Sequence, residues 1–330
     1  MRRRTIILSI VSVLLLAAGC GATQGGPGGP GGNPYSGSLV GSGTGYVHQL
    51  NLSGTSEWSE MTSISTYDVT AVDLTTNELY VAGLNMANPM LVDVYDLTTF
   101  GAKRSFLWPD SQSLDRVERF AVAPGGKYLA ANLSVLGEPL LEVMDTEAAS
   151  PVYTALDYKV ASINMVWTKD LSLLLAYEPA GAFDPNVYGA VIMIPLEQFL
   201  EDDDDLGAYL VQGFTQAEWG QRGVTYLALS ADESQLAYVL NGDIWVKEFA
   251  PDAAARQLTT GPTANVGPAF SPSGDHIAFV GLRPLGLNDT LVLPNDGTGP
   301  YLVNASDPAN SQAYVVDSQN LVTNILAWLQ

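Results

Sequence analysis

The sequence is poor in the residue types on which most enzyme chemistry depends. It has one cysteine, Cys20, and two histidines, His48 and His276. A single thiol excludes an internal disulfide, and two isolated histidines without thiol partners do not make a zinc site. No Gly-x-Ser-x-Gly or His-Glu-x-x-His motif occurs. We therefore assign no catalytic, cofactor-binding or metal-binding residues from motifs, and the sequence favours a protein that is not an enzyme.

Basic residues are also scarce. The chain has 14 lysines and arginines against 35 aspartates and glutamates, which gives a formal charge of −21. Nucleic-acid binding uses clustered lysine and arginine, so we expect no nucleic-acid partner. Direct adsorption to anionic lipid is disfavoured for the same reason.

Long apolar runs are missing except near the start of the chain. Residues 1–4 are Met-Arg-Arg-Arg, residues 5–16 are mostly apolar, and residues 17–19 are small. This is the layout of an export signal over residues 1–19, and its apolar run is too short to span a bilayer of about 30 Å. A conventional signal peptide followed by an incidental Cys20 is the alternative to the interpretation that follows.

The segment Leu-Ala-Ala-Gly-Cys at residues 16–20 resembles the lipobox of bacterial lipoproteins, although Ala17 stands where leucine is commonest. The resemblance implies that Cys20 is acylated and becomes the new N-terminus after cleavage. Several acyl chains anchor a protein firmly, because each buried methylene contributes about 0.8 kcal/mol. Gly21 follows the cysteine where an aspartate signals inner-membrane retention in enterobacterial lipoproteins, which implies the outer membrane in a host that has one.

Residues 20–36 comprise Cys20 and a Gly/Pro-rich segment with few apolar side chains. Such a composition does not offset the entropy of ordering, so we expect a disordered tether. Composition becomes globular from residue 37, and residues 37–330 are expected to form one domain. That length is sufficient for a large core.

A weak repeat organises this domain. Each copy has an apolar strand, a turn rich in Asp, Gly, Pro, Ser or Thr, and a second apolar strand. The five copies span residues 71–82, 120–130, 165–176, 227–239 and 269–280. A third alternating strand follows each, at residues 91–95, 140–144, 190–194, 243–248 and 290–293. Recurrence every 40 to 50 residues, roughly, predicts an all-β propeller, with one short helix at residues 195–201 in an insertion.

The fifth copy, Phe-Ser-Pro-Ser-Gly-Asp-His-Ile-Ala-Phe-Val, resembles the β-propeller repeat of TolB, the periplasmic translocation protein. It is also similar to the N-terminal propeller of prolyl oligopeptidase relatives, but no hydrolase domain follows. The resemblance covers roughly residues 66–305 and implies a fold, because unrelated functions share this motif.

The two ends of the domain supply a further blade. Residues 321–328 read as a first strand without its hairpin, and residues 37–43, 45–52 and 56–62 read as strands without a first member. Joining them closes the ring and removes exposed sheet edges. We predict six four-stranded blades, with seven as the alternative.

Two features are candidates for a binding surface. The acidic run contains Asp202, Asp203, Asp204 and Asp205, and it is a solvated loop, a loose cation site such as one for Ca²⁺, or a docking element for a basic partner. Trp108 and Trp219 lie in apparent loops between blades. They are interaction anchors if exposed and core residues if packed between blades.

These observations favour a lipid-anchored envelope propeller that binds a protein or another envelope component. The alternative is an envelope enzyme or small-ligand binder that uses the central channel, as lactonase-like propellers do with a metal held by acidic residues. That alternative requires Asp, Glu or Asn side chains that converge at the channel mouth.

Overall fold

The structure is a computed structural model of the chain. It describes residues 35–43, 46–52, 58–63, 69–83, 91–108, 114–135, 138–156, 165–178, 187–200, 208–220, 222–250, 253–282, 288–304, 314–320 and 322–330.

Strands dominate the described residues, and they occur in groups that follow the predicted repeat. The first described strands are β1 (Ser38–Gly43), β2 (Tyr46–Asn51) and β3 (Trp58–Ser63). Blade 1 contains β4 (Val69–Asp73), β5 (Glu78–Gly83), β6 (Leu91–Asp96) and β7 (Ala102–Leu107). Blade 2 contains β8 (Leu114–Val122), β9 (Tyr128–Val135), β10 (Glu138–Asp145) and β11 (Ser150–Leu156). Blade 3 contains β12 (Val166–Trp167), β13 (Ser172–Tyr177), β14 (Gly189–Pro195) and β15 (Tyr209–Phe214).

The remaining strands complete the ring. Blade 4 contains β16 (Val224–Leu229), β17 (Gln235–Leu240), β18 (Asp243–Glu248) and β19 (Arg256–Gln257). A short strand, β20 (Thr259–Thr260), precedes β21 (Ala264–Phe270), β22 (His276–Leu282) and β23 (Asn288–Pro294). The last strands are β24 (Tyr301–Leu302), β25 (Tyr314–Asn320) and β26 (Asn324–Leu329). Blade 5 is β21, β22, β23 and β25, while β20 and β24 form a small parallel pair that the sequence did not predict.

Blade 6 is built from both ends of the domain, as predicted. Its strand order is β26, β1, β2, β3. Leu39 pairs with Trp328 and Val40 with Ala327 in the antiparallel ladder between β1 and β26. The indole N–H of Trp328 also donates to the backbone oxygen of Ser36 at 3.0 Å. The prediction of six four-stranded blades is confirmed, and the alternative of seven is wrong.

A hydrophobic core lies at each junction between blades. The cluster between blades 1 and 2 contains Tyr80 and Leu129, and the cluster between blades 6 and 1 contains Val40 and Leu79. Four further clusters occupy the other junctions. Because each blade has two faces packed on neighbours, inner strands such as β13 read as near-continuous apolar runs. The ring is closed by packing as well as by strand pairing.

The turns after the first strands are fixed by a recurring hydrogen bond. In blades 3 to 5, the hydroxyl of a Ser or Thr at the end of the first strand accepts a backbone N–H from the start of the second strand. The pairs are Thr168 with Ser172 N at 2.9 Å, Ser230 with Gln235 N at 3.0 Å, and Ser271 with His276 N at 3.1 Å. This contact explains why the repeat has Ser or Thr at that position.

Two short helices occur in the described residues, α1 (Leu196–Leu200) and α2 (Gln216–Trp219). The first matches the helix predicted at residues 195–201. In the part of the chain that the structure describes, no helix is long and apolar enough to cross a membrane.

Candidate functional site

The first strands of the six blades surround a central cavity of about 750 Å³. Small and apolar side chains line it, because the strands converge towards the axis. They include Ala71, Ala121, Trp167, Leu227, Ala269 and Ile325, one from each blade. The cavity reaches the turns at residues 74–77, 169–171 and 231–234, and we call the side of the disc that carries these turns the mouth face.

The carboxylate of Asp73 at the mouth is occupied by contacts within the protein. Its Oδ1 accepts from the backbone N–H of Thr75 at 2.8 Å and from the Thr75 hydroxyl at 2.6 Å. Its Oδ2 accepts from the Thr76 hydroxyl at 2.7 Å and from the backbone N–H of Gly125 at 2.9 Å. The last bond crosses to blade 2, so Asp73 joins two blades.

A second pair of bonds joins blades 3 and 4 at the same face. Glu233 Oε1 accepts from the backbone N–H of Lys169 at 2.6 Å, and Lys169 Nζ donates to the backbone oxygen of Ala231 at 2.6 Å. Among the described residues, no three Asp, Glu, His or Cys side chains are placed to hold a metal ion. A three-ligand set of the kind that a metal-dependent channel enzyme needs is therefore not found within the described part.

An ion-pair network connects the mouth end of blade 1 with its outer strand. Arg104 donates to both carboxylate oxygens of Glu78, at 2.7 and 3.0 Å, and Lys103 Nζ lies 2.8 Å from Oε1. The Tyr80 hydroxyl donates to Glu78 Oε2 at 2.7 Å. Burial alone raises the pKa of Glu78, but the bonds from Arg104, Lys103 and Tyr80 outweigh it and lower the pKa to about 2.

The two histidines lie at separate places in the ring. His48 is in β2, with its Nε2 3.3 Å from the Gly43 oxygen. His276 begins β22, and its ring packs edge-on against Tyr35 at a centroid distance of 5.0 Å. Both sit in strands.

Trp108 is a core residue, and its predicted role as a surface anchor is wrong. Its side chain is 2 % exposed and belongs to the core between blades 1 and 2. Its indole N–H donates to Glu142 of blade 2. The sequence placed Trp108 in a loop, but that loop lies at a blade junction where the ring fills the space between two sheets.

Trp219 is likewise buried, with 2 % of its surface exposed, so the same prediction is wrong for it. It ends α2, whose N-terminus is capped by Thr215 and Glu218. Its N–H donates to Glu178 at 2.9 Å. A methyl group on Gly189 would lie only 2.3 Å from the indole, which indicates how closely blade 3 encloses the ring.

The other candidate residues cannot be compared with the structure. Cys20 and the acidic run of Asp202, Asp203, Asp204 and Asp205 lie outside the described residues. Their assignments stay predictions.

The sequence analysis missed exposed apolar side chains on the outer strands. Leu91 and Leu107 are paired across β6 and β7, and Leu107 is 54 % exposed. Tyr209 and Leu210 are exposed at the start of β15 in blade 3. The exposed stretch from Ala102 to Ser105 marks β7 as an outer strand. Nothing in the sequence around Tyr209 distinguishes Tyr209 from a core residue.

Comparisons with known proteins give the fold. A scan against protein-family models finds no match, and a search of curated proteins finds no relative. Among solved structures, TolB of Acinetobacter baumannii has a TM-score of 0.58 at 14 % identity, covering 91 % of this chain and 68 % of that one. A chain of the nidogen–laminin complex has a TM-score of 0.56 at 13 % identity, covering 78 % of this chain and 89 % of that one.

A TolB-like protein of Agrobacterium tumefaciens has a TM-score of 0.52 at 13 % identity, covering 80 % of this chain and 87 % of that one. At such identities the likeness concerns the fold and not the activity. The chain is a six-bladed β-propeller, and TolB propellers are among the solved structures that it resembles.

Proposed function

We propose that this protein is a lipid-anchored propeller of a bacterial cell envelope, held at the outer membrane through Cys20, and that it binds another envelope protein without catalysing a reaction. The lipobox resemblance and the Gly/Pro-rich segment support the anchor. The likeness to a chain of the nidogen–laminin complex supports protein binding only by analogy, since that chain is part of a protein complex.

The exposed pair Leu91 and Leu107 is the observation that carries the binding proposal. Single exposed apolar residues are common, but these two are direct cross-strand neighbours at the outer edge of blade 1. Adjacent exposed apolar side chains, unlike single ones, favour a protein contact. Desolvating them against an apolar partner is favourable by about 1.5 to 3 kcal/mol for each fully buried leucine.

The entry point of the chain is compatible with simultaneous anchoring and binding. Tyr35 packs edge-on against Trp328 at 6.0 Å, and Ser36 accepts the indole hydrogen bond. Tyr35 and Ser36, the first described residues, therefore lie at the mouth face beside β26. Blade 1 carries its leucine pair on the outermost two strands, away from the central axis.

Metabolic labelling with a clickable fatty acid tests the anchor. We expect label on the wild-type protein and a membrane-bound product, and neither with Cys20→Ser. The matched variant Gly21→Asp keeps the cysteine, so it keeps the label, and in a host with enterobacterial sorting it moves the protein to the inner membrane. Label on Cys20→Ser, or an unlabelled soluble wild-type protein, contradicts the anchor.

Site-specific photo-crosslinking in the native host tests the binding face. A photoreactive residue at Leu107 is expected to give a discrete adduct that is lost when Leu91→Asp is added. The same group at Glu147, an exposed turn position on blade 2, is the control. Equal adducts from Leu107 and Glu147, or none from Leu107, contradict the assignment of this face.

The cavity volume favours one second candidate, a small-ligand binder or lactonase-like enzyme. About 750 Å³ falls within the range of roughly 300 to 1,000 Å³ found for ligand pockets. A thermal-shift and hydrolysis screen with lactones tests it. Stabilisation or turnover by a lactone supports this candidate. If no lactone stabilises the protein or is hydrolysed, the protein-binding role is the better explanation.

A further inference from the structure

The wall of the central cavity is apolar and only partly covered. Beside the small side chains already named, it is lined by five half-buried apolar residues, Val72, Val166, Leu229, Leu326 and Leu329. Each of them packs against the core at a blade junction and also borders the open space. Apolar surface that borders a cavity of about 750 Å³ is stabilised when an apolar ligand displaces water from it.

Polar side chains around the cavity are engaged with one another. Gln49 Nε2 donates to Ser38 Oγ at 2.9 Å, and Asn77 Nδ2 donates to Thr98 Oγ1 at 2.9 Å. The carboxylate of Asp73 accepts four bonds within the protein. The described rim therefore offers few free donors or acceptors, so an apolar ligand suits the cavity better than a polar one.

The described part of the chain begins beside this cavity. Tyr35 packs edge-on against Trp328 at 6.0 Å, and both Trp328 and Leu329 line the cavity. Residues 20–34 precede Tyr35 and belong to the Gly/Pro-rich segment that the sequence predicts to be a tether. A flexible segment of this length spans about 20 Å on average and at most about 50 Å. Cys20 is therefore within reach of the cavity.

We propose that the central cavity binds an acyl chain attached to Cys20 of the same molecule. This inference rests on the acylation of Cys20 in the proposed function and goes beyond it, because it gives the cavity an occupant. Attachment through a short flexible segment gives the chain an effective concentration in the millimolar range, which favours it over free fatty acid. A bilayer competes for the same chain, so the cavity is occupied while the protein is off the membrane.

Photo-crosslinking from the acyl chain itself is the primary test. The host is grown with a fatty acid that carries a diazirine and an alkyne. The mature protein is then purified and irradiated below the critical micelle concentration of the detergent, and tandem mass spectrometry locates the adducts. We expect most adducts on peptides that contain Val166 or Leu229. Adducts that avoid the cavity-lining peptides, although the protein carries the label, overturn the proposal.

Two variants and a matched control test the cavity wall. Val166→Asp places a carboxylate on the apolar wall and is expected to lower the adducts at Leu229 about tenfold. Ala228→Phe fills part of the cavity and serves as the second variant if Val166→Asp does not fold. Val152→Asp is the control, because Val152 is also half-buried, against the core between blades 2 and 3, and does not line the cavity. Equal loss of adducts in Val166→Asp and Val152→Asp contradicts the assignment.

The source of the chain is tested separately. The same photoreactive fatty acid is added to mature protein from cells grown without it. We expect few cavity adducts, because the attached chain already fills the site. Cavity adducts as abundant as those from the labelled protein mean that the site takes free fatty acid, and the proposal is wrong. A protein without label on Cys20 refutes the acyl anchor and with it this inference, whereas a labelled protein without cavity adducts refutes this inference alone.

Discussion

Deletion of residues 324–330 removes β26 and opens the ring. Ile325 and Trp328 of β26 are buried beside Leu39 and Ala269. Losing a buried isoleucine costs about 2 kcal/mol and a buried tryptophan about 4 kcal/mol. The total of about 6 kcal/mol, before any lost strand pairing, compares with an overall stability of about 5 to 15 kcal/mol for a natural domain. We expect loss of cooperative unfolding, or a midpoint lower by about 10 °C or more.

Circular dichroism provides the assay, with the near-ultraviolet signal reporting tryptophan packing and the far-ultraviolet signal reporting strands. Deletion of the exposed Gln330 alone is the control, because β26 stays whole. A midpoint for the longer deletion within about 2 °C of that control refutes the closure argument, since it means that β26 contributes about 1 kcal/mol or less.

A circular permutant separates the contribution of β26 from its place in the chain. The permutant starts at Val322 and joins Gln330 to Tyr35 through a short Gly/Asn linker, so that blade 6 becomes continuous. The contact between Trp328 and Ser36 shows that the two ends are close enough. We expect the permutant to unfold cooperatively. If its unfolding is as destabilised as that of the variant lacking residues 324–330, closure of the ring requires more than strand pairing.

Two further predictions concern the surroundings of single side chains. Gly189→Ala forces a methyl group into the ring of Trp219 and is expected to lower the free energy of unfolding by about 1 to 3 kcal/mol. Gly101→Ala is the control, because its methyl group meets no contact shorter than 3.4 Å, and it is expected to leave the free energy of unfolding unchanged. Equal urea midpoints for the two variants contradict the packing of Trp219. Because the folded pKa of Glu78 lies near 2, below its ordinary value of 4.5, its network stabilises the fold above that ordinary value and is lost as pH falls towards 2. Glu78→Gln is therefore expected to cost about 2 kcal/mol at pH 7, discounted for the exposed heads of Lys103 and Arg104, with the gap closing in acid; a gap that is constant with pH contradicts the network.

The blades were predictable because their signals are local. The five hairpins combine alternating apolar residues with turns whose Ser, Thr, Asp and Gly residues have fixed conformational tasks. At Gly274, for example, a positive φ of 80° fits the turn of the fifth copy. Blade 6 followed from the two incomplete ends, because an unclosed propeller leaves sheet edges exposed.

The environment of single side chains was not predictable in the same way. Trp108 meets Glu142, and Trp219 meets Glu178 and Gly189, all from distant parts of the sequence. A loop assignment says that a residue connects two strands but not which sheet it packs against.

Because blade 6 is composite, its first-made strand stays unpaired on one edge until the end of the chain is synthesised. Ser36 and Trp328 are 292 residues apart in the sequence. At a translation rate of about 10 residues per second, β26 is therefore made roughly 30 s after β1. An unpaired strand edge that persists so long is a hazard for self-association. The sequence of β1 is Ser-Leu-Val-Gly-Ser-Gly, and its glycines and serines have a low tendency to form intermolecular sheets. The weakness of β1 as an isolated strand thus protects the nascent chain until the final strand arrives.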